Sequence, residues 1–276
     1  MSTEAPAAAA GISYVYAVGR AGTGLDTMSG PVPGLDGGVL RTVRAAGLDA
    51  LVSSVSARTF STEGMKAQME DLKRLEEIAR THHLVVEAAY ACSTVLPMRL
   101  ATVYLDDTRV TEMLHQRGAD FCGLLARLED HVELGVKVYA DLRQPAEAET
   151  ADAVSTPAPV SPGRAYLQKR RAQRRSTQDV YRAAGALAAE VPGRVAALAR
   201  DRVAHRPQQG ELATAEGENI ANDAYLVPAA RAGEFRAALD GLAEDVPGVR
   251  IEITGPWAPY SFATPPAEAG GGRSER

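Results

Sequence analysis

"HVELGVKVYADL", residues 131–142, decides the fold. Its polar side chains alternate with apolar ones, so the segment predicts a β-strand with one buried and one wet face. Upstream, "TVLPMRLATVYL" (94–105) reads as a strand with Pro97 in its first part, which argues for an edge or a bend. Asp106 or Asp107 then caps a helix whose apolar residues are Val110, Met113, Leu114, Phe121, Leu124, Leu125 and Leu128. Downstream, after an insertion, "NIANDAYLVP" (219–228) and "VRIEITG" (249–255) predict two more strands, flanking a helix at 232–245 that carries Phe235, Leu239 and Leu242. Strand, helix, strand, insertion, strand, helix, strand is the ferredoxin-like βαββαβ order. Right-handed crossovers place both helices on one face of a four-stranded antiparallel sheet.

The expected fold class is therefore α+β, with a modified ferredoxin-like domain over residues 93–255. A smaller N-terminal α+β domain precedes it at 12–92, with strands "ISYVYAV" (12–18) and "LDALVSSVSA" (48–57). There, Ser61 or Thr62 followed by Glu63 starts a helix in which Met65, Met69, Leu72, Leu75, Ile78, Ala79, Val85, Val86 and Ala89 recur at three-and-four spacing to about Cys92. Glu76 and Arg80 form a supporting pair on its wet side. Residues 1–11 read as a disordered leader, and the tail 256–276 as disordered after about 264, because neither has apolar residues in a period that could be buried.

The insertion has two parts. Residues 144–163 are a flexible Pro/Ala/Ser/Glu linker, and 164–206 are a basic helical extension in which Pro192 starts a new helix or kinks the first. Residues 160–206 hold 11 Lys and Arg against 3 Asp and Glu, a net +8 that leaves −13 for the rest of a chain whose total is −5. Arg170, Arg171, Arg174 and Arg175 form a cationic ridge that reads as a solvated helix face or as a grip for phosphate or an acidic partner surface.

After the last strand, Gly255-Pro256 ends the hydrogen-bonded ladder, since proline cannot donate into it. Pro256 and Pro259 restrict the chain that follows, while Trp257, Tyr260 and Phe262 supply large apolar area. Burying one such ring stabilises by about 1.5–3 kcal/mol. These three rings predict an interdomain strap; the alternative is a strap that docks on a partner.

Few chemical classes fit the remaining motifs. The acidic balance and pI near 5.6 argue against nucleic acid and anionic membranes. No apolar run approaches the roughly 20 residues of a membrane span, and Glu4 stands where a secretory signal would be basic, so a cytoplasmic protein is expected. Cys92 and Cys122 read as core thiols rather than a disulfide or metal motif. "VGRAGTGL" (18–25) has GxxGxG spacing without a Walker lysine, which favours an ordinary glycine loop. Glu129, His131 and Glu133 share a strand face, yet no Cys or third His joins them. His82 and His83 diverge by about 100° on a helix and read as surface or boundary residues. No catalytic motif of the GxSxG or HExxH kind is present, no RNP-type aromatic strand, and no cofactor is implied.

"GPWAPYSF" (255–262) resembles the C-terminal signature of the GvpL/GvpF family of gas vesicle proteins, usually GPWPPYSF. "EDLKRLEEIARTHHLVVEAA" (70–89), "STVLPMRLATVY" (93–104), "LGVKVYAD" (134–141) and "GRAYLQKRRAQ" (163–173) are similar to its earlier blocks, in order, so the resemblance spans about 12–262. Ala258 and Ala101 depart from it where proline and glycine are common. The resemblance, GvpF-like, implies a two-domain accessory or minor structural protein of gas vesicle assembly, without catalytic residues. It further implies binding of the major hydrophobic shell protein, and of other accessory proteins, in the cytoplasm or on the vesicle. A reading from another class rests on the βαββαβ order alone: a ligand-sensing or enzymatic domain with an unidentified small-molecule ligand.

Overall fold

The computed structural model describes residues 11–28, 32–60, 64, 70–141, 162–207 and 217–264, without the side chains of 162–169, 172 and 173. Residues 1–10 of the predicted leader, 144–161 of the linker and the helix start at 61–63 lie outside the described residues, whereas Gly11 already begins a strand and Pro162 and Gly163 a helix. The chain is a mixture of helices and antiparallel sheets and divides into two units. One comprises Met1–Asp130 together with Trp257–Arg276, the other His131–Pro256. The boundary thus falls after Asp130, not after residue 92.

The first unit is built on β1 (Gly11–Arg20), whose residues 13–18 are all buried, as expected of a strand covered on both faces. β2 (Leu40–Ala45), β3 (Leu48–Ser56), β4 (Val95–Pro97) and β5 (Val103–Tyr104) complete a sheet of order β2-β3-β1-β4, with β5 also on β1. β2 and β3 are joined by Ala46 and Gly47, at φ 52° and 74°, the two-residue hairpin geometry that needs left-handed backbone. The hairpin partner β2 escaped the sequence reading because only Leu40, Val43 and Ala45 of its six residues are apolar. The predicted strand at 94–105 is two short ones, broken at Ala101, whose φ of 63° belongs to glycine territory.

Helices α1 (Leu72–Cys92) and α2 (Asp107–Leu128) flank this sheet. Asp71 caps the first by accepting from Lys73 N and Arg74 N; Asp106 caps the second by accepting from Arg109 N. Tyr14 bonds to His82 of α1 and Ser13 to Asp107 of α2, so the two helices lie on opposite faces of the sheet. Asp107 also takes two bonds from Arg41 at 2.7 and 3.0 Å, and that guanidinium holds its carboxyl below the usual range. Leu72, expected on the buried stripe, is 78% exposed because it is the first residue after the cap. The stripe begins at Ile78 and continues through His82, Val85, Val86 and Ala89.

The second unit runs β6 (His131–Ala140), α3 (Pro162–Val195), β7 (Asp201–His205), β8 (Glu218–Pro228), α4 (Ala232–Leu239) and β9 (Val249–Trp257), in sheet order β7-β8-β6-β9. This is a β–α–β–β–α–β succession, assembled from other parts than the sequence suggested. The segment at 94–105 and the helix at 107–128 belong to the first unit. Their places are taken by β6 and by α3, the supposed insertion. Leu134, Val136 and Val138 of β6, with Tyr225 and Val227 of β8, pack against Val180, Ala184, Leu187, Val191 and Val195 of α3 and Phe235 and Leu239 of α4. Pro192 sits inside the last turn of α3 without ending it. "DRVAH", read as helical, is the edge strand β7, and its charges suit an edge that must not recruit another chain. β9 continues through Pro256 to Trp257; standing at the end of the sheet, it tolerates a residue that cannot donate. Where β6 and β8 shift register at Val138/Tyr139, the buried Asn219 amide donates to Val138 O and Ala221 O.

Candidate functional site

The aromatic tail packs within the first unit. Ala258 is fully buried and its N–H donates to Glu87 Oε1 of α1 at 3.0 Å. The Trp257 ring stands edge-on to His83 at 5.6 Å, and Tyr260 lies 6.1 Å from His83 and 6.4 Å from His82. Phe262 closes a 3-10 turn at 2% exposure, whereas Trp257 remains 41% exposed. Burial, and with it most of the docking energy, therefore sits at Phe262 and Ala258 rather than at the tryptophan.

Beneath the tail lies a polar cluster that sequence reasoning missed. His82, expected at the surface or its boundary, is 3% exposed. The signal was its spacing: four residues after Ile78 and three before Val85, it is on the apolar stripe. Its Nε2 lies 3.1 Å from Met98 O, which can only accept, so Nε2 carries the proton and Nδ1 accepts from the Tyr14 hydroxyl at 2.9 Å. The same hydroxyl accepts from Ala101 N at 3.0 Å, which ties the left-handed turn between β4 and β5 to the cluster. Tyr16 completes it, accepting from Leu35 N and bonded to Ser53, both at 2.8 Å. Burial pushes the His82 ring down to about 4 and both tyrosines up. Every polar atom of His82 and Tyr14 is spent inside the fold, so the cluster is a fixture for the sheet, α1 and the tail. Tyr14→Phe would leave His82 Nδ1 and Ala101 N without that partner. A loss of about 2 kcal/mol in urea unfolding is expected; an unchanged midpoint would show the hydroxyl to be dispensable.

The four ridge arginines occupy the first half of α3. Arg170, Arg171, Arg174 and Arg175 are all exposed, and no described side chain between 170 and 179 is buried. The core contacts of α3 begin at Val180. Residues 162–179 form an arm of about 27 Å, and none of its described side chains, at 170, 171 and 174–179, is buried. Farther along, where the helix packs, its arginines are compensated: Arg182 by Asp179 and Arg194 by Glu190, both at 2.7 Å. Among the described residues the four ridge guanidiniums have no acidic partner.

The other motifs resolve locally. In the glycine loop, Gly22 and Gly24 hold φ of 79° and 98°, and Gly22 N donates to Asp49 at 3.3 Å. Asp49 is wholly buried and accepts two bonds from Arg44, at 2.6 and 2.7 Å, which keep its carboxyl below the usual range. Cys92 is exposed and Cys122 half-buried, contrary to the core reading; Cys92 is the last residue of α1, beyond the end of the buried stripe. Among the described residues no group of three His, Cys, Asp or Glu, including the 129–133 set, is placed to hold a metal ion. No described helix is long and apolar enough to cross a membrane.

Comparison with known proteins agrees over nearly the whole chain. The family described as gas vesicle synthesis protein GvpL/GvpF matches residues 12–264. Gas vesicle protein L of Streptomyces sp. (strain CB03234) is 38% identical over 252 residues, 91% of this chain and 92% of the relative. Gas vesicle protein F of the same strain is 29% identical over 198 residues, 70% and 80% of the two chains. The fold is similar to crystal structures of GvpF from Anabaena sp. PCC7120 (TM-score 0.61, 18% identity, 95% and 99% covered) and from Microcystis aeruginosa (TM-score 0.56, 17% identity, 92% and 99% covered). The chain belongs to the GvpL/GvpF family of gas vesicle synthesis proteins.

Proposed function

We propose that the protein is a non-catalytic accessory or minor structural protein of gas vesicle assembly that binds the major hydrophobic shell protein, in the cytoplasm or at the growing vesicle. Its second unit is a ferredoxin-like platform, and its aromatic tail secures the first. The observation that carries this reading is the arm of α3: four exposed arginines, uncompensated among the described residues, on a stretch of helix none of whose described side chains is buried. Family membership supports the vesicle context. An arginine cluster without acidic partners among the described residues is suited to carboxylates of another protein, which it can hold through paired hydrogen bonds. The test is co-purification of the shell protein with the full chain. Replacing Arg170, Arg171, Arg174 and Arg175 by Glu should lower recovery at least about tenfold, since like charges across an interface cost several kcal/mol. Arg182→Glu, at an arginine already paired within the helix, should leave recovery near wild type. Equal recovery with all four reversed removes the arm from shell binding.

A further inference from the structure

The second unit carries a counterpart to its own arm. Between the end of α4, the following loop and β9 runs an open groove of about 730 Å³, floored by Leu239, Leu242, Ile251 and Ile253. Asp240 and Glu244 form its lip and Asp245 lies just beyond; all three are exposed. The groove's own arginines are engaged. Arg236 donates to Gly255 O at 2.6 Å, and Arg250 pairs with Glu252 at 3.1 Å while lying over the Tyr139 ring. The three acids have no ion-pair partner among the described residues, so the groove presents an apolar floor under uncompensated negative charge. β9 is the last strand of its sheet, which leaves the groove accessible along that side.

The arm has the opposite requirement. Arg170 and Arg174, like Arg171 and Arg175, are four residues apart on one helix, where like charges repel. A molecule's own arm cannot serve its own groove, because α3 is one continuous helix held in the core from Val180 to Val195. Arm and groove are nevertheless neighbours: Val180 and Tyr181, at the root of the arm, pack in the same cluster as Leu242, Ala243 and Val246 of the groove loop. Adjacent, mutually complementary patches on one unit are what a two-fold contact needs, since both halves then close at once. The charge of the whole chain follows the same division, +8 over residues 160–206 and −13 elsewhere.

We propose that two copies of this chain associate about a two-fold axis, each laying its arginine arm in the acid-lipped groove of the other. The inference shares the four arginines with the shell-binding reading but not its partner. Its test uses the full chain alone, so the two readings fail separately.

Sedimentation velocity of the wild-type chain should give a dimer at about 50 mM salt. The dissociation constant should rise at least about tenfold at about 500 mM, where screening shortens to a few ångströms. The fourfold Arg→Glu arm variant should be monomeric, and so should Asp240→Lys/Glu244→Lys/Asp245→Lys. Mixed one to one, these two monomers should recover the dimer mass, because each then offers the other a reversed but complementary pair of surfaces. If either reversal fails to fold by circular dichroism, the Arg→Gln and Asp→Asn/Glu→Gln versions should still weaken the dimer. A wild-type monomer at low salt, a dimer that survives either variant, or a mixture that stays monomeric overturns the proposal.

Discussion

Phe262→Ala is expected to lower the unfolding free energy by about 3–5 kcal/mol, the range for removing a buried aromatic ring from a packed site. The side chain is 2% exposed and lies in the turn Tyr260–Phe262, so truncation leaves a cavity beneath the docked segment. The segment is also held by the buried Ala258, the bond from its N–H to Glu87 and the ring contacts of Tyr260. Limited proteolysis should then cut between 257 and 264 well before global unfolding. Trp257→Ala, at a ring 41% exposed, should cost no more than about 1–2 kcal/mol. The ranking of the two variants in urea melts is the discriminating measurement: a larger loss from Trp257 would place the anchor at the wrong ring.

Acid should destabilise the protein through His82 by about 3 kcal/mol between pH 6.5 and 4. Folded, its ring titrates at about 4 because burial disfavours the charged form; unfolded, it returns to about 6.5. Above pH 6.5 neither state holds the proton and the contribution to stability is complete. As pH falls toward 4 the unfolded chain binds more protons than the folded one, so stability declines, and below 4 the loss is fully developed. The groups facing the ring are the Tyr14 and Tyr16 side chains, Tyr260, the Met98 carbonyl and the neighbouring His83. The tyrosines keep their protons throughout this window, so they add no slope. Unfolding free energies at pH 7 and 4.5 should converge in His82→Gln relative to wild type. An equal slope in both proteins would assign the acid sensitivity to other residues.

Much of this was legible in the sequence, and the failures have physical causes. Strands β1, β3, β6, β8 and β9 announce themselves by alternation or by unbroken β-branched and aromatic runs. The caps at Asp71 and Asp106 mark two helices, though only the second was read as a cap. What the pattern does not carry is which strand pairs with which. The residues at 95–97 and 103–104 join β1, more than seventy positions earlier, and nothing local distinguishes that from a place beside β6. The mixture of helices and antiparallel sheet was therefore legible, while the segments at 94–105 and 107–128 were assigned to a sheet that they do not join. α3 reads as a basic extension because its charge is the conspicuous feature, yet Val180, Ala184, Leu187, Val191 and Val195 keep helical spacing and form its buried face. At the tail, the sequence identified the three rings as a group. Which of them is buried depends on the turn at Tyr260–Phe262, a property of tertiary packing. His82 was misjudged by chemistry: an imidazole is counted as polar until a hydroxyl and a carbonyl are found waiting for its two nitrogens.

The first unit is discontinuous in sequence, since its final pieces, Ala258 to Phe262, are encoded beyond the whole of the second. On the ribosome the sheet and helices of residues 11–130 thus emerge without their closing segment. At about 5–20 residues per second they wait on the order of ten seconds for it. Completion of the first unit in this way waits until synthesis has passed Phe262, and a premature stop ahead of Ala258 would injure the part of the protein made first.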